Sequence, residues 1–315
     1  MKYLVTGCAG FIGANYSEYV LNNHIDDLVI GVDALTYAAN LSALESLKKN
    51  PRFRFYQGNI CDRETMRQII EVERPDIIVN FAAESHVDRS IDNSEPFVIT
   101  NVVGTSVLLD LALELSVPRF HQISTDEVYG PSVDGFKFTE DDALHPSSPY
   151  SASKAAADLL ALSYHRTHGL PVSISRSSNN YGKYQHVEKF IPRVIDFAKR
   201  GAKVPIYGDG SACRDWLHVE DNCRAIDIIV RDQSSACGSI YNLSTGRLTR
   251  NIDLAKMILL SLGCPSENIS LAPDRKGHDL AYLTDSSKMI KKFGWSPCHK
   301  IECEIDDLVE YYAKK

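Results

Sequence analysis

Short apolar runs alternate with longer stretches of helical period through the first half of the chain. The runs at 2–6, 28–32, 53–57, 76–81, 119–124 and 171–176 mostly lack a polar/apolar alternation, the pattern of strands covered on both faces. Between them, helical periods occupy 12–22, 38–48, 63–73, 94–115 and 150–167. Repeated strand-then-helix units predict a parallel sheet with helices on both sides, joined by right-handed crossovers. Ser94 and Pro96 suit the start of one long helix, and Ser148 and Pro149 the start of another.

The character changes after residue 177. Ser177-Ser178-Asn179-Asn180-Tyr181-Gly182 has neither period and reads as a loop. Helical patterns follow at 188–200, 220–231, 251–262 and 304–313, separated by turn clusters such as Gly208-Asp209-Gly210-Ser211. There is no internal repeat and no low-complexity linker. The expected division is a large domain over 1–177, with a returning segment near 216–246, and a smaller lobe built from 178–215 and 247–315. Ligands of such sheets bind beyond the carboxyl ends of the strands, which places the site between the two parts.

Composition narrows the function classes. The 315 residues carry 34 Lys plus Arg against 41 Asp plus Glu, a net charge of −7. That excess argues against a protein that holds nucleic acid or an anionic membrane by its overall field, but leaves room for a local basic pocket. No uninterrupted apolar stretch approaches the ~18–20 residues of a membrane span. A strand-like run starts at Lys2, which leaves no space for a signal peptide. The eight cysteines show no Cys-x-x-Cys spacing and no zinc-type pairing with histidine, and His165 with His168 has no third ligand nearby. The expectation is a cytoplasmic protein with reduced cysteines and no metal.

Three constellations carry chemistry. The first strand runs into Gly7-Cys8-Ala9-Gly10-Phe11-Ile12-Gly13 and then a helix. These glycines permit a tight turn and bring backbone N–H groups to a pyrophosphate at the helix N-terminus. The second strand ends at Asp33, twenty residues past Gly13, where a carboxylate accepts both ribose hydroxyls and repels a 2′-phosphate. NAD, and not NADP, is therefore the expected cofactor, and the fold class is α/β: a Rossmann-type doubly wound parallel sheet with a smaller, mostly helical C-terminal substrate lobe. Tyr150 and Lys154 lie four apart at a helix start, hence on one face, and an ammonium beside a phenol favours phenolate. That spacing alone is weak, since Tyr311 and Lys315 repeat it at the chain end. The third is the loop Ser124-Thr125-Asp126-Glu127-Val128-Tyr129-Gly130, which leaves a buried-type strand at its carboxyl end. Neighbouring carboxyl groups there suit proton delivery to a leaving hydroxyl and proton removal from the adjacent carbon.

Together with Asn179-Asn180-Tyr181-Gly182, these segments resemble extended short-chain dehydrogenases/reductases acting on nucleotide sugars. More narrowly, Asp33-Ala34-Leu35-Thr36-Tyr37, the run Ala82 to Ser90 (AAESHVDRS), Ser124 to Gly130, Arg214-Asp215-Trp216-Leu217 and Gly277-His278-Asp279 resemble dTDP-glucose 4,6-dehydratases, from residue 2 to Trp295. The resemblance implies that the sugar is oxidised at C4, loses water across C5 and C6, and regains its hydride at C6. In that scheme Tyr150, assisted by Lys154, takes the 4-hydroxyl proton and Thr125 hydrogen-bonds the same oxygen. Glu127 removes the C5 proton, and Asp126 protonates the departing 6-hydroxyl. The resemblance further implies a NAD site formed by Gly7, Gly10, Phe11, Ile12, Gly13, Asp33, Ala34, Leu35, Thr36, Asn59, Ile60, Ala82, Ala83, Ser85, Thr100, Tyr150, Lys154 and Asn180. The nucleotide sugar falls to Ser85, Thr125, Asn179, Lys189, Phe190, Pro205, Tyr207, Arg214, Asn251, Arg275 and His278, with Arg214 suited to a diphosphate by its planar fork of donors.

The chain departs from the pattern at Asn59 (usually an acid near the adenine), Lys183, His186-Val187 and Leu280-Ala281. The later departures bear on the base and the sugar. Alternative readings are a 4,6-dehydratase for another nucleotide sugar, a 4-epimerase, in which Asp126 and Glu127 have no task, and a non-catalytic NAD- and sugar-nucleotide-binding regulator, which needs no proton-transfer groups. The expected partner is a nucleotide-sugar small molecule. The long apolar helices 94–115 and 150–167, taken with the resemblance, also imply a homodimer.

Overall fold

In the computed structural model, which describes residues 1–235, 238–274 and 277–314, the alternating pattern becomes β1 (Lys2–Thr6), α1 (Phe11–Asn23), β2 (Leu28–Asp33), α2 (Leu41–Lys48), β3 (Phe53–Gln57), α3 (Arg63–Glu73) and β4 (Ile77–Asn80). The chain continues through α4 (Val87–Asp92), α5 (Glu95–Phe97), a π-helical stretch (Val98–Gly104), α6 (Thr105–Glu114), β5 (Phe120–Thr125), a 3-10 turn (Asp126–Tyr129), α7 (Pro149–His168) and β6 (Val172–Ser177). Then come β7 (Asn179–Tyr181), α8 (Phe190–Lys199), β8 (Val204–Tyr207), β9 (Cys213–His218), α9 (Val219–Arg231), β10 (Ser239–Leu243), β11 (Leu248–Arg250), α10 (Asn251–Ser261), β12 (Ile269–Ala272), α11 (Ser287–Phe293) and α12 (Ile301–Ala313).

Seven parallel strands form one sheet in the order β10-β6-β5-β4-β1-β2-β3. The chain leaves β1 toward β2 and β3, then returns to β4 on the other side of β1. That reversal opens a crevice at the carboxyl ends of β1 and β4. Successive β1 side chains serve opposite layers. Tyr3 and Val5 join the apolar layer of α1 and α9, whereas Leu4 joins the layer of α3, α6 and α7. A separate apolar cluster gathers α8, α10 and α12 over β8 and β9.

The structure differs from the sequence expectation in informative places. Within the expected loop, Ser177 ends β6 and Asn179–Tyr181 pairs with β9, in register Asn179↔Trp216. β8, β11 and β12 are three- or four-residue strands paired with distant segments, so the C-terminal part contains two small sheets beside its helices. Three residues carry no readable period, so only tertiary pairing reveals them. The helix expected over 94–115 is interrupted by the π-helical stretch. Its run Glu95–Glu114 is also long and apolar enough to cross a bilayer, with a mean hydropathy of 1.7 over its most apolar 18 residues, because only short polar breaks such as Thr100-Asn101, Thr105-Ser106 and Asp110 interrupt it. Part of that run packs into the core through Phe97, Leu108, Leu109, Leu111 and Ala112.

Candidate active site

β1 passes into a glycine turn that closes on the sheet. Gly7 N–H donates to Val32 O at 2.8 Å, and Gly10 N–H to Gly7 O at 3.0 Å. Gly7 has φ +66°, and a Cβ there would lie 2.8 Å from the Ala82 nitrogen; a Cβ on Gly13 would meet Gly7 O at 2.2 Å. Helix α1 begins at Phe11, with no side-chain cap and no acid in its first turn. Its first N–H groups therefore face the crevice ready for an anion. At the end of β2, Asp33 accepts from Ala9 N–H at 2.9 Å and Leu35 N–H at 2.8 Å; burial raises its pKa and these two bonds oppose the rise.

Asp33, Ala34, Thr36, Asn59, Ile60, Ala82, Ala83 and Thr100 line one cavity with Gly7 and Gly10. Leu35 instead turns its side chain into the core beside α1. Asn59 Oδ1 already accepts Cys61 N–H at 2.9 Å, so its amide oxygen is engaged in a local turn. An uncapped helix end, a cradle that a Cβ would fill and a carboxylate at the strand end together fit a dinucleotide with free ribose hydroxyls.

A second cavity, of about 260 Å³, adjoins the first. It brings Gly7, Gly10, Phe11, Ile12 and Gly13 together with Ser85, Thr125, Asp126, Glu127, Tyr150, Lys154, Asn179, Asn180 and Lys189. β5 supplies Thr125 at its carboxyl end, and the following 3-10 turn supplies the carboxyl pair. Thr125 Oγ1 donates to Asp126 Oδ1 at 3.1 Å and accepts Glu127 N–H at 3.2 Å. Tyr150 sits in the first turn of α7, which Ser148 and Ser151 close with a reciprocal capping box and Pro149 opens. Its side chain hydrogen-bonds to Thr125.

The electrostatics separate these groups. Asp126 is buried, its Oδ2 has no partner among the described residues, and burial with Glu127 and Asp215 nearby pushes its pKa well above the carboxylate range. Burial, Glu127 and Asp126 also raise the Tyr150 phenol, the reverse of the direction expected from its spacing to Lys154. Lys154 Nζ donates to Ile123 O at 2.6 Å, and burial draws its pKa down to about 8. The ammonium thus serves the β5 backbone.

A third cavity, of about 200 Å³, joins the second through Ser85, Glu127, Asn179 and Lys189. It collects Phe190, Pro205, Tyr207, Arg214, Asn251 and His278 from the segments 178–215 and 247–315, facing Ser85 and Glu127 of the first part. The Asn179 and Asn251 side-chain oxygens are buried and have no hydrogen-bond partner among the described residues. Arg214 lies 4.7 Å from the Tyr282 ring and donates to Cys213 O at 2.7 Å. Arg275 lies outside the described residues. Sequence reasoning missed Asp88, Glu188 and Trp216 as lining residues; Asp88 and Trp216 stand inside segments it quoted, whereas nothing local marks Glu188. Elsewhere His218, Glu220 and His299 place ligand-type atoms within 4.8 Å of one another. His218 caps α9, and His299 Nδ1 meets Asp221 at 3.0 Å, so both rings already serve the fold.

Comparison with known proteins gives a consistent result. The model of the family described as GDP-mannose 4,6 dehydratase matches residues 4–308. The low-salt glycan biosynthesis protein Agl12 of Haloferax volcanii is 49% identical over 312 residues, covering 99% of this chain and 98% of its own. A dTDP-glucose 4,6-dehydratase of Haemophilus influenzae is 44% identical, covering 99% and 98%. The crystal structure of DesIV, a dTDP-glucose 4,6-dehydratase of Streptomyces venezuelae with NAD and TYD bound, superposes with a TM-score of 0.95 at 42% identity, covering 100% of this chain and 98% of that one.

Proposed function

Since the chain belongs to the GDP-mannose 4,6 dehydratase family, we propose that it is an NAD-dependent hydro-lyase converting a nucleoside-diphosphate hexose, dTDP-glucose before others, to its 4-keto-6-deoxy product. One observation carries this reading. The Asp126–Glu127 pair shares a cavity with Thr125, Tyr150, Lys154 and the glycine turn, so two proton-transfer systems face one space. A 4-epimerase needs only the tyrosine, and a binding module needs neither.

NAD, seated on the Gly7–Gly13 turn with its ribose at Asp33, supplies a hydride acceptor whose hydride is later returned to the sugar. The protein's own groups handle the protons. Tyr150 Oη, held by Thr125, is the base for the 4-hydroxyl. Lys154, one turn along the same helix face, holds its ammonium on Ile123 O and stays largely charged at neutral pH, so its assistance to Tyr150 rests on the resemblance. Once C4 is a ketone, the C5 proton is acidic and passes to Glu127. Asp126, whose pKa burial raises, is the acid that gives its proton to the 6-oxygen, which departs as water. Residues 178–215 and 247–315 receive the nucleotide sugar, with Arg214, Lys189 and His278 toward the diphosphate and Phe190, Pro205, Tyr207 and Asn251 around the remainder. Arg275 stays assigned there on resemblance alone.

A homodimer acting in the cytoplasm completes the proposal. Val98, Ile99 and Val103 on the π-helical stretch and Leu159 on α7 are all exposed, an apolar face that a second copy would cover. Among the described residues seven cysteines are free, which suits a reducing compartment. The direct test incubates the protein with dTDP-, UDP-, GDP- and CDP-hexoses and weighs the products. Loss of one water from dTDP-glucose is expected. Loss of water from a different nucleotide sugar would replace the substrate, and interconversion of C4 epimers without loss of water would overturn the dehydratase reading.

A further inference from the structure

The proposed reaction removes a hydride at C4 and restores it at C6, so it fails if the dinucleotide exchanges between the two steps. Two segments cross the mouth of the dinucleotide site. Residues 36–40 pass between its two ends, since Ala38 lines both adjoining cavities. Asn40 N–H donates to Ala9 O, in the glycine turn, at 2.7 Å, and Asn40 Nδ2 reaches Tyr184 O at 3.3 Å. Residues 183–188 face them, pinned to α1 by Asn15 Nδ2 donating to Lys183 O at 3.0 Å.

Glu188 joins these segments to each other and to α4. Its carboxylate oxygens lie 3.6 Å from His86 Nε2, Arg89 Nη2 and His186 Nδ1. The Tyr37 hydroxyl hydrogen-bonds to it as well. Arg89 in turn lies 3.7 Å from the centre of the Tyr37 ring, and the His186 ring meets that ring edge-on at 5.8 Å. Each such contact is modest by itself, but those of His86, Arg89, His186 and the Tyr37 hydroxyl converge on one half-buried carboxylate, and the other two meet at the Tyr37 ring. Tyr37, His86 and Arg89 have no other task in the proposed chemistry.

We propose that Glu188 is the hub of a latch, made with Tyr37, His86, Arg89 and His186, that retains the dinucleotide through the reaction. This inference rests on the function proposed above. Glu188 acts as a positioning residue, because opening the mouth requires residues 36–40 to part from residues 183–188, and the carboxylate holds them together.

The test uses the full chain loaded with fluorescent etheno-NAD, with release followed by stopped flow and hydrogen exchange followed by mass spectrometry. Glu188→Ala should release the dinucleotide on the order of tenfold faster, equivalent to about 1.4 kcal/mol, and should raise exchange in residues 36–40 and 183–188 together. Glu188→Gln, which keeps the contact to Tyr37 but loses the charges, should fall between. Tyr37→Ala removes one end of the latch at a half-exposed position, so it reports even if Glu188→Ala folds poorly. Release at the unsubstituted rate with unchanged exchange in both segments would overturn the latch. If the unsubstituted protein held no dinucleotide, the proposed function would fail separately, and exchange would still decide: a joint rise in the two segments supports the latch, and no change overturns it.

Discussion

Thr125, Asp126 and Glu127 are consecutive, yet each is set up for a different task by what surrounds it. Thr125 ends a strand and hydrogen-bonds to Asp126 and to the Tyr150 phenol. Asp126 is buried at the wall of the catalytic cavity, where burial and the neighbouring carboxylates raise its pKa, while Glu127 borders both that cavity and the one that adjoins it. The double change Asp126→Asn, Glu127→Gln keeps volume but removes the proton donor and acceptor of the elimination. C4 oxidation should survive, so substrate should produce a lasting rise in reduced-nicotinamide absorbance, where the unsubstituted protein shows a transient one. Losing a positioned acid or base typically costs about 10²–10⁴ in rate. Product release at near-normal rate from the double variant would remove these carboxyls from the chemistry.

Among the elements, β5 and β6 carry an unusual polar seam. His121 is fully buried between Ser173 and Ser175, at 2.8 and 3.0 Å, and burial pushes its pKa down to about 3. The folded protein therefore keeps this ring neutral, while an unfolded chain binds a proton below about pH 6.5. Stability should fall as pH drops from about 6.5 toward 3, and His121→Asn should flatten that part of a Tm-against-pH profile. Parallel profiles for the two proteins would refute the assignment. The seam also shows what the pattern hides. The run 119–124 is legible as a strand because it carries Phe120 and Ile123 and its length is right, but the partners of His121, Ser173 and Ser175, lie about fifty residues away. The glycine turn and the cap of α7 were legible for the opposite reason, since both are local: Gly7, Gly13 and Ser148 act on atoms within a few residues or one strand. β7, β8 and β11 were not, because their pairing is entirely tertiary. The direction of the Tyr150 shift was also missed, because spacing placed Lys154 on its face, whereas the fold spends that ammonium on Ile123 O.

For the molecule as a whole, the exposed apolar face of the π-helical stretch and α7 predicts self-association. Sedimentation at micromolar concentration should show a particle of twice the 35.1 kDa chain mass, and Val103→Asp should shift it toward the single chain. A monomer in the unsubstituted protein would refute the dimer. The same scale holds the central claim, since the cleft unites residues from the first strand to His278 around one proposed reaction. It is tested most directly with dTDP-glucose carrying deuterium at C4. The account predicts a product lighter by one water, with the deuterium recovered at C6. Deuterium that stays at C4, or a product that has lost no water, would contradict it.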